Sequence, residues 1–472
     1  MIASAWNPLV FIPEMMLTAT ALSLLVAGAF NRENATPTLA LAALGALGGS
    51  LVWLLFSGTP EVNEGPVTFD EFARFVKIVV VLTSGACVAM TMAYARHQSF
   101  SRQEYPSLML LAVVGLTVLV SATDLLTAFL ALELFAIASY ALVAINRDAE
   151  RSTEAGLKLL LLGALASAIC LFGISLVYGF AGGLSFSVIA VSMALPSPGL
   201  LAGIAMVLAA MAFRLAIVPF HTWAPDVFEG APTPVAAFLS AAPQVAVMAF
   251  LTRFATDAMM LQWQPILAVL AVLSMLFGAV AALQQRNIKR LLAYCAVSQW
   301  GFGLLAIMAG GEAGVAAAVV FITIFAIAMT GVFACVLAMR RDDEGMVEDI
   351  DDVAGLMRVN PWMGIGFIVL LFSLAGLPPL LGFFGKYYVL LAAMDAGLLP
   401  LAAVAIVSSA MIAFALLRMV KIMMFDVFTD RLEPMAGELR IVLAICAGLS
   451  VFFFWFWRPV LAAALAAAQS LF

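Results

Sequence analysis

Four ionisable side chains lie inside stretches otherwise apolar enough to span a bilayer: Glu133, Lys158, Arg214 and Lys386. A charge at the centre of a membrane helix costs about 2.5–3.5 kcal/mol on insertion scales. Charges kept at that cost need partners or a water-filled route, so the chemistry they point to is movement of ions or protons. Burial raises the proton affinity of a carboxylate such as Glu133 and a neighbouring cation lowers it, which makes it a natural gate. Lys158 stands seven residues past Arg151, about 10 Å into its helix at 1.5 Å per residue. A buried lysine exchanges protons readily once its environment disfavours the charge. Arg214 stays charged, so it can fix a field or hold Glu133 ionised but is a poor relay. His221, beside a proline, titrates near physiological pH.

Each of these residues also has a plainer reading. Glu133 could lock two helices as a static ion pair. Lys158 and Lys386 could snorkel to opposite surfaces, and His221 could be structural. Asp124 is expected to cap the helix that follows it. Arg253 and Arg418, near span ends, read as packing or surface residues.

Apolar spans of about 20 residues are long enough to cross a bilayer as helices. On that rule roughly fourteen spans are expected: 8–30, 36–57, 72–95, 106–122, 124–145, 154–180, 200–218, 234–256, 265–284, 288–309, 313–339, 361–385, 398–425 and 438–467. With the N-terminus outside, the inside loops carry Arg32, Arg96, Arg102, Arg147, Arg151, Arg286, Lys289, Arg290, Arg340, Arg341, Arg358, Arg431 and Arg440. The opposite loops are nearly free of basic residues, apart from Arg74 and Lys77 at the start of the third span. Both termini are then expected outside.

Two spans carry built-in breaks: Val218-Pro219-Phe220-His221 in the seventh, and Gly376-Leu377-Pro378-Pro379 with Gly382 and Gly385 in the twelfth. Proline removes a backbone donor, and broken backbone at membrane depth is tolerated only against protein or a watery cavity. The breaks take corresponding places in two five-span blocks, spans 4–8 and 9–13, as in transporters built from inverted repeats. The expected organisation is an all-α membrane protein with a three-helix segment (1–105), two repeats (106–258 and 265–425) and a C-terminal helix (426–472).

The chain has 472 residues, 65% hydrophobic and 11% charged, against about 45–50% and about 25% for soluble domains. Met1 to Trp6 carry no basic residue, so no cleavable signal peptide is expected. Five separated cysteines and two histidines offer no zinc, iron–sulfur or two-histidine haem ligand set. No Gly-x-Gly-x-x-Gly or Walker-type loop is present, so nucleotide binding has no support. Any redox chemistry tied to this chain belongs to another one.

Several segments resemble the N subunit of bacterial NADH:quinone oxidoreductase, respiratory complex I. They are Ser121-Ala122-Thr123-Asp124-Leu125-Leu126 through Leu132-Glu133-Leu134, Arg151-Ser152-Thr153-Glu154-Ala155-Gly156-Leu157-Lys158, and Gly173 to Gly179. The stretch from Val218-Pro219-Phe220-His221 to Gly230-Ala231-Pro232 and the segment Gly376 to Lys386 are similar to the wider antiporter-like superfamily. The resemblance implies a proton-translocating membrane subunit whose path includes Glu133, Lys158 and, towards the periplasmic exit, Lys386. It also implies NADH, FMN, iron–sulfur clusters and quinone on other subunits, with no cofactor on this chain. The implied surroundings are antiporter-like and small membrane subunits in a bacterial inner membrane, without nucleic acid. Two positions depart from that pattern, since Arg214 and Gln244 stand where the family usually has lysines. A glutamine can order water but cannot store a proton. The competing reading is a subunit of a multi-subunit sodium/proton antiporter, and a third is a membrane scaffold with static charge pairs.

Overall fold

A computed structural model describes residues 8–30, 36–57, 62–97, 102–259, 263–341, 345–426 and 433–472. Among the described residues the chain is a helical bundle with two very short hairpins, Val62–Glu64 with Val67–Phe69 and Arg340–Arg341 with Gly345–Met346. The helices run α1 (Ile12–Phe30), α2 (Thr36–Phe56), α3 (Glu71–His97), α4 (Tyr105–Ser121), α5 (Leu125–Val143), α6 (Glu150–Ala181) and a short α7 (Phe186–Ser192). Then follow α8 (Pro198–Arg214), α9 (Trp223–Gly230), α10 (Thr233–Ser240), α11 (Ala242–Phe254), α12 (Gln264–Leu283), α13 (Ile288–Ala309) and α14 (Gly311–Ala338). The chain closes with α15 (Leu356–Val359), α16 (Pro361–Ala375), α17 (Leu381–Asp395), α18 (Leu399–Phe425) and α19 (Gly437–Gln469). Eleven described helical stretches are long and apolar enough to cross a membrane, and shorter apolar helices α4, α8 and α16 stand at other expected spans.

Burial sorts these helices into a middle and a jacket. The α10–α11 stretch, α13 and α14 are almost wholly enclosed, whereas α1, α2, α6, α18 and α19 bury only about a third of their most apolar windows. The open faces are themselves apolar, for example Leu161, Leu165 and Phe172 of α6, as a hydrocarbon surrounding requires.

The bundle has two chemically different ends. At one, Arg102 pairs with Asp148 at 3.1 Å, Arg151 with Glu348 at 2.8 Å and Arg290 with Asp226 at 2.7 Å. The Ile350 amide donates there to the Arg286 carbonyl at 2.8 Å. At the other end the Leu125 amide donates to the Leu184 carbonyl at 3.1 Å, and the Phe72 amide donates to Ser470 Oγ at 3.1 Å. Glu14, near the start of α1, and Ser470, just past α19, both meet the first turns of α3 at this second, arginine-poor end.

Both expected breaks are present. α8 stops at Arg214 and the chain resumes as a helix at Trp223, whose indole Nε1 donates back to the Phe213 carbonyl at 2.9 Å. The amide of Val218, freed by the break, donates to Ser274 Oγ of α12 at 3.0 Å. α16 stops before Gly376, which adopts φ +86°, a conformation open to glycine without a Cβ penalty. The Gly382 amide then donates to Ser373 Oγ at 3.0 Å, so the two halves of the second broken helix are pinned together. A third interruption, unforeseen in the sequence, separates α10 from α11 at Ala241 (φ −119°, ψ −82°), one residue before Ala242-Pro243.

Arg253, read as a packing or surface residue near a span end, is buried, and so is Lys77 at the start of the third span. Arg253 donates through both terminal nitrogens to Asp70, at 2.7 and 2.9 Å, with its side chain only 3% exposed. Lys77 Nζ lies 2.8 Å from Glu14 Oε1, both side chains enclosed, and 5.3 Å from the centre of the Phe69 ring. Both pairs join segments far apart in sequence, which is why a linear reading shows only isolated charges. Arg418 behaves as expected of a packing residue, donating to the Leu283 and Gln285 carbonyls at 3.2 Å each where α12 ends.

Candidate proton path

Asp124 caps α5, its carboxylate accepting the amides of Leu126 at 2.8 Å and Thr127 at 3.3 Å, and so fixes where Glu133 stands along the helix. Mid-helix, Glu133 accepts a short hydrogen bond from Ser167 Oγ of α6. Arg214, the last residue of α8, donates to Ser167 Oγ at 3.1 Å and lies 3.4 Å from Glu133 Oε1. The arginine side chain is 7% exposed and the glutamate 27%, so the pair is enclosed by this chain on one side only. The arrangement brings Glu133 and Arg214 together as anticipated and adds Ser167, which no motif singles out.

Lys158 does not join that pair. It turns towards the arginine-rich end, 2.8 Å from Glu154 one turn back and 2.9 Å from Asp226 of α9. Asp226 also accepts from Arg290 of α13 at 2.7 Å, and Arg290 reaches Glu229 at 2.9 Å. These residues, with Arg151, line a cavity of about 230 Å³. Its walls are mostly charged side chains of both signs.

His221 sits in the first break with its ring centre 4.7 Å from Phe277 and 6.4 Å from Tyr294. Its buried Nδ1 has no hydrogen-bond partner among the described residues. Gln244, in the first turn of α11 just past the Ala241 interruption, donates through Nε2 to the carbonyls of Arg214 at 3.4 Å and Leu239 at 3.3 Å. Its Oε1 is buried with no hydrogen-bond partner among the described residues.

Lys386 of α17 folds back over the second break. Its ammonium donates to the Leu374 and Ala375 carbonyls at 3.1 and 3.0 Å, and to Ser409 Oγ at 2.8 Å, and stands 5.5 Å from the Phe302 ring centre. Those carbonyls end α16, where the helix dipole favours a cation. The two broken helices therefore differ in one respect that matters. The end of α16 is met by the Lys386 amino group, whereas the end of α8 is met by the neutral Gln244 amide and the Trp223 indole.

Comparison with known proteins gives this geometry its family. Residues 122–413 match the model of the family described as NADH:quinone oxidoreductase/Mrp antiporter, TM. The chain is 42% identical to NADH-quinone oxidoreductase subunit N 1 of Rhizobium meliloti (strain 1021), over 98% of this chain and 97% of that one. It is 45% identical to NADH-quinone oxidoreductase subunit N of Azorhizobium caulinodans, over 98% of both. Among solved structures it is similar to a chain of respiratory complex I from Thermus thermophilus with bound aureothin. That match has 29% identity and a TM-score of 0.84, covering 96% of this chain and 100% of the other. The Mrp complex from Dietzia sp. contains a chain of the same fold, with a TM-score of 0.85 at 21% identity, covering 99% of this chain and 98% of that one. The polytopic helical bundle, its broken helices and its full-length similarity lead to one family: the chain belongs to the NADH-quinone oxidoreductase subunit N proteins.

Proposed function

We propose that this chain is the proton-translocating membrane subunit of an NADH:quinone oxidoreductase, with electron transfer from NADH to quinone taking place on other subunits. The observation that carries the reading is the succession of ionisable groups through the bundle. Lys158, Asp226 and Arg290 stand at the arginine-rich end, Glu133 and Arg214 between the ends, and Lys386 lies beyond the second break. The arginine-rich end is the cytoplasmic side by the positive-inside rule, which puts both chain ends on the periplasmic side. Residues 106–258 and 265–425 form the two inverted repeats, framed by segments 1–105 and 426–472. Each repeat places its broken helix fourth, α8–α9 in the first and α16–α17 in the second.

In this mechanism the Glu133–Arg214 pair is the element that changes. Arg214 cannot deprotonate, so the pair opens by protonation of Glu133 or by movement of the guanidinium. Either event alters the field along the path towards Gln244. There the proton crosses by water held at the buried, unbonded Gln244 Oε1, because the amide itself stores none. Lys386 receives it and releases it to the periplasmic side. The Mrp-type alternative uses similar groups for sodium/proton exchange, and the 39–45% identity to subunit N proteins favours the respiratory reading.

Gln244 supplies the test. In membrane vesicles driven by NADH, Gln244→Leu is expected to lower proton uptake severalfold with the complex assembled. Gln244→Lys is expected to change it by more than about twofold, since a lysine ammonium has three donors and no acceptor oxygen to hold that water. Uptake of radiolabelled sodium in place of protons would overturn the reading in favour of the antiporter. Undiminished proton uptake in Gln244→Leu would remove Gln244 from the path.

A further inference from the structure

One buried lysine is left unused by this mechanism. Lys289, the second residue of α13, is 6% exposed, although it belongs to a segment that reads in sequence as an ordinary basic loop. Its ammonium carries three donors, yet among the described residues it makes a single hydrogen bond, to the Ala231 carbonyl at 3.3 Å. Among the described residues no ion pair holds it. The charged groups nearest in effect are Glu229, Glu348 and Arg151, none of which bonds to it. A buried lysine without a paired carboxylate is costly as a permanent cation and suited to taking up and giving back a proton.

Its position supplies the rest. Lys289 sits immediately behind the wall of the charged cavity, between Ile288, whose amide is bound by the Glu348 carbonyl, and Arg290, which lines the cavity. Gly230, next to the Ala231 that accepts its bond, lines the same cavity. α9 and α13 pack along each other from this point. The eight residues of α9 rise about 12 Å at 1.5 Å per residue. They lead to the break where His221 packs against Tyr294 of α13. One seam thus runs from the cavity wall to the first broken helix, with a lysine at one end and a histidine at the other.

We propose that Lys289 is a proton-carrying residue of this chain. Its neutral amine takes a proton from cavity water, forming N–H as an O–H of hydronium breaks, and then releases it to water along the α9–α13 seam towards His221. The proposal rests on the proton-translocating reading above. The plain alternative is that Lys289 only neutralises the carboxyl-terminal end of α9.

The experiment compares Lys289→Met and Lys289→Arg in the intact complex, with NADH-driven proton uptake in vesicles normalised to assembled enzyme. Methionine keeps the length and loses the charge, whereas arginine keeps the charge and cannot release a proton. Both are expected to lose about tenfold, below the full worth of a proton-transfer group because Lys158 offers a parallel way in. Uptake within twofold of wild type in Lys289→Arg would make the residue a helix-end cation, and the same result in Lys289→Met would make it dispensable. Either overturns the proposal. Glu133→Gln is measured alongside. If that variant pumps normally, the path through Glu133 is what fails, and the Lys289 result is judged separately.

Discussion

Arg253→Leu is expected to destabilise the chain by about 3–5 kcal/mol, the usual cost of removing one partner of a buried ion pair. Both terminal nitrogens of Arg253 bind Asp70, and its guanidinium lies 5.2 Å from the Phe72 ring centre. Asp70 does double duty, since it also accepts the Ala73 amide at 2.7 Å and so caps α3. Leucine at 253 would leave that carboxylate enclosed, 11% exposed, with its countercharge gone. The pair ties the end of α11 to the start of α3, so its loss should loosen those two helices from each other. Asp70→Asn should cost less, because the amide oxygen can still cap the helix and accept from arginine. Thermal unfolding of the detergent-solubilised complex, followed by retention of this chain, gives the measurement. A loss below about 1 kcal/mol for Arg253→Leu would place the pair among weak surface bridges.

Gly382→Ala is expected to reduce NADH-driven proton uptake to background while Lys386 itself is untouched. A Cβ at 382 would overlap the Ser373 carbonyl oxygen, so α17 must move away from α16. Overpacking of this kind costs about 1–3 kcal/mol, and here the strain falls on the break. Gly382 N–H to Ser373 Oγ and Lys386 to the Leu374 and Ala375 carbonyls are bonds of one small unit. Displacing α17 pulls the ammonium from the helix end that holds it. Gly385→Ala is the control, because a Cβ there meets Ile324 and Phe321 only at ordinary contact distances, 3.4–3.5 Å. Normal uptake in Gly382→Ala would show that Lys386 works without its present seat.

The features legible in the sequence were those governed by local chemistry. Pro219 and Pro378-Pro379 announced two broken helices because proline cannot complete the hydrogen-bond ladder. Asp124 announced the start of α5 because a carboxylate ahead of an apolar run has free amides to cap. The cost of charge in hydrocarbon singled out Glu133, Lys158, Arg214 and Lys386, and the structure gives all four polar partners. What stayed hidden was the choice of partner. Lys158 binds Asp226 across 68 positions, Arg253 binds Asp70 across 183, and Ser167 enters the Glu133 site from another helix. Such pairings are set by how helices pack and have no signature in spacing. The partners of Arg253 and Lys77 stayed hidden for that reason, since a cation near a span end looks alike whether it reaches water or a buried carboxylate. The Ala241 interruption had only Pro243 as a local sign, and a proline in the first turn is also what an ordinary helix start tolerates.

Under the proposed function, protons cross through this chain by way of Glu133 and Lys386. Its most direct test is NADH-driven proton uptake in vesicles carrying Glu133→Gln or Lys386→Met, with assembly verified and NADH oxidation measured in the same preparation. Both substitutions preserve shape and remove the titratable group. The account predicts intact complexes in which each variant loses most proton uptake per NADH oxidised. Wild-type uptake in both variants would contradict it and leave their charges as static pairs that hold the bundle together.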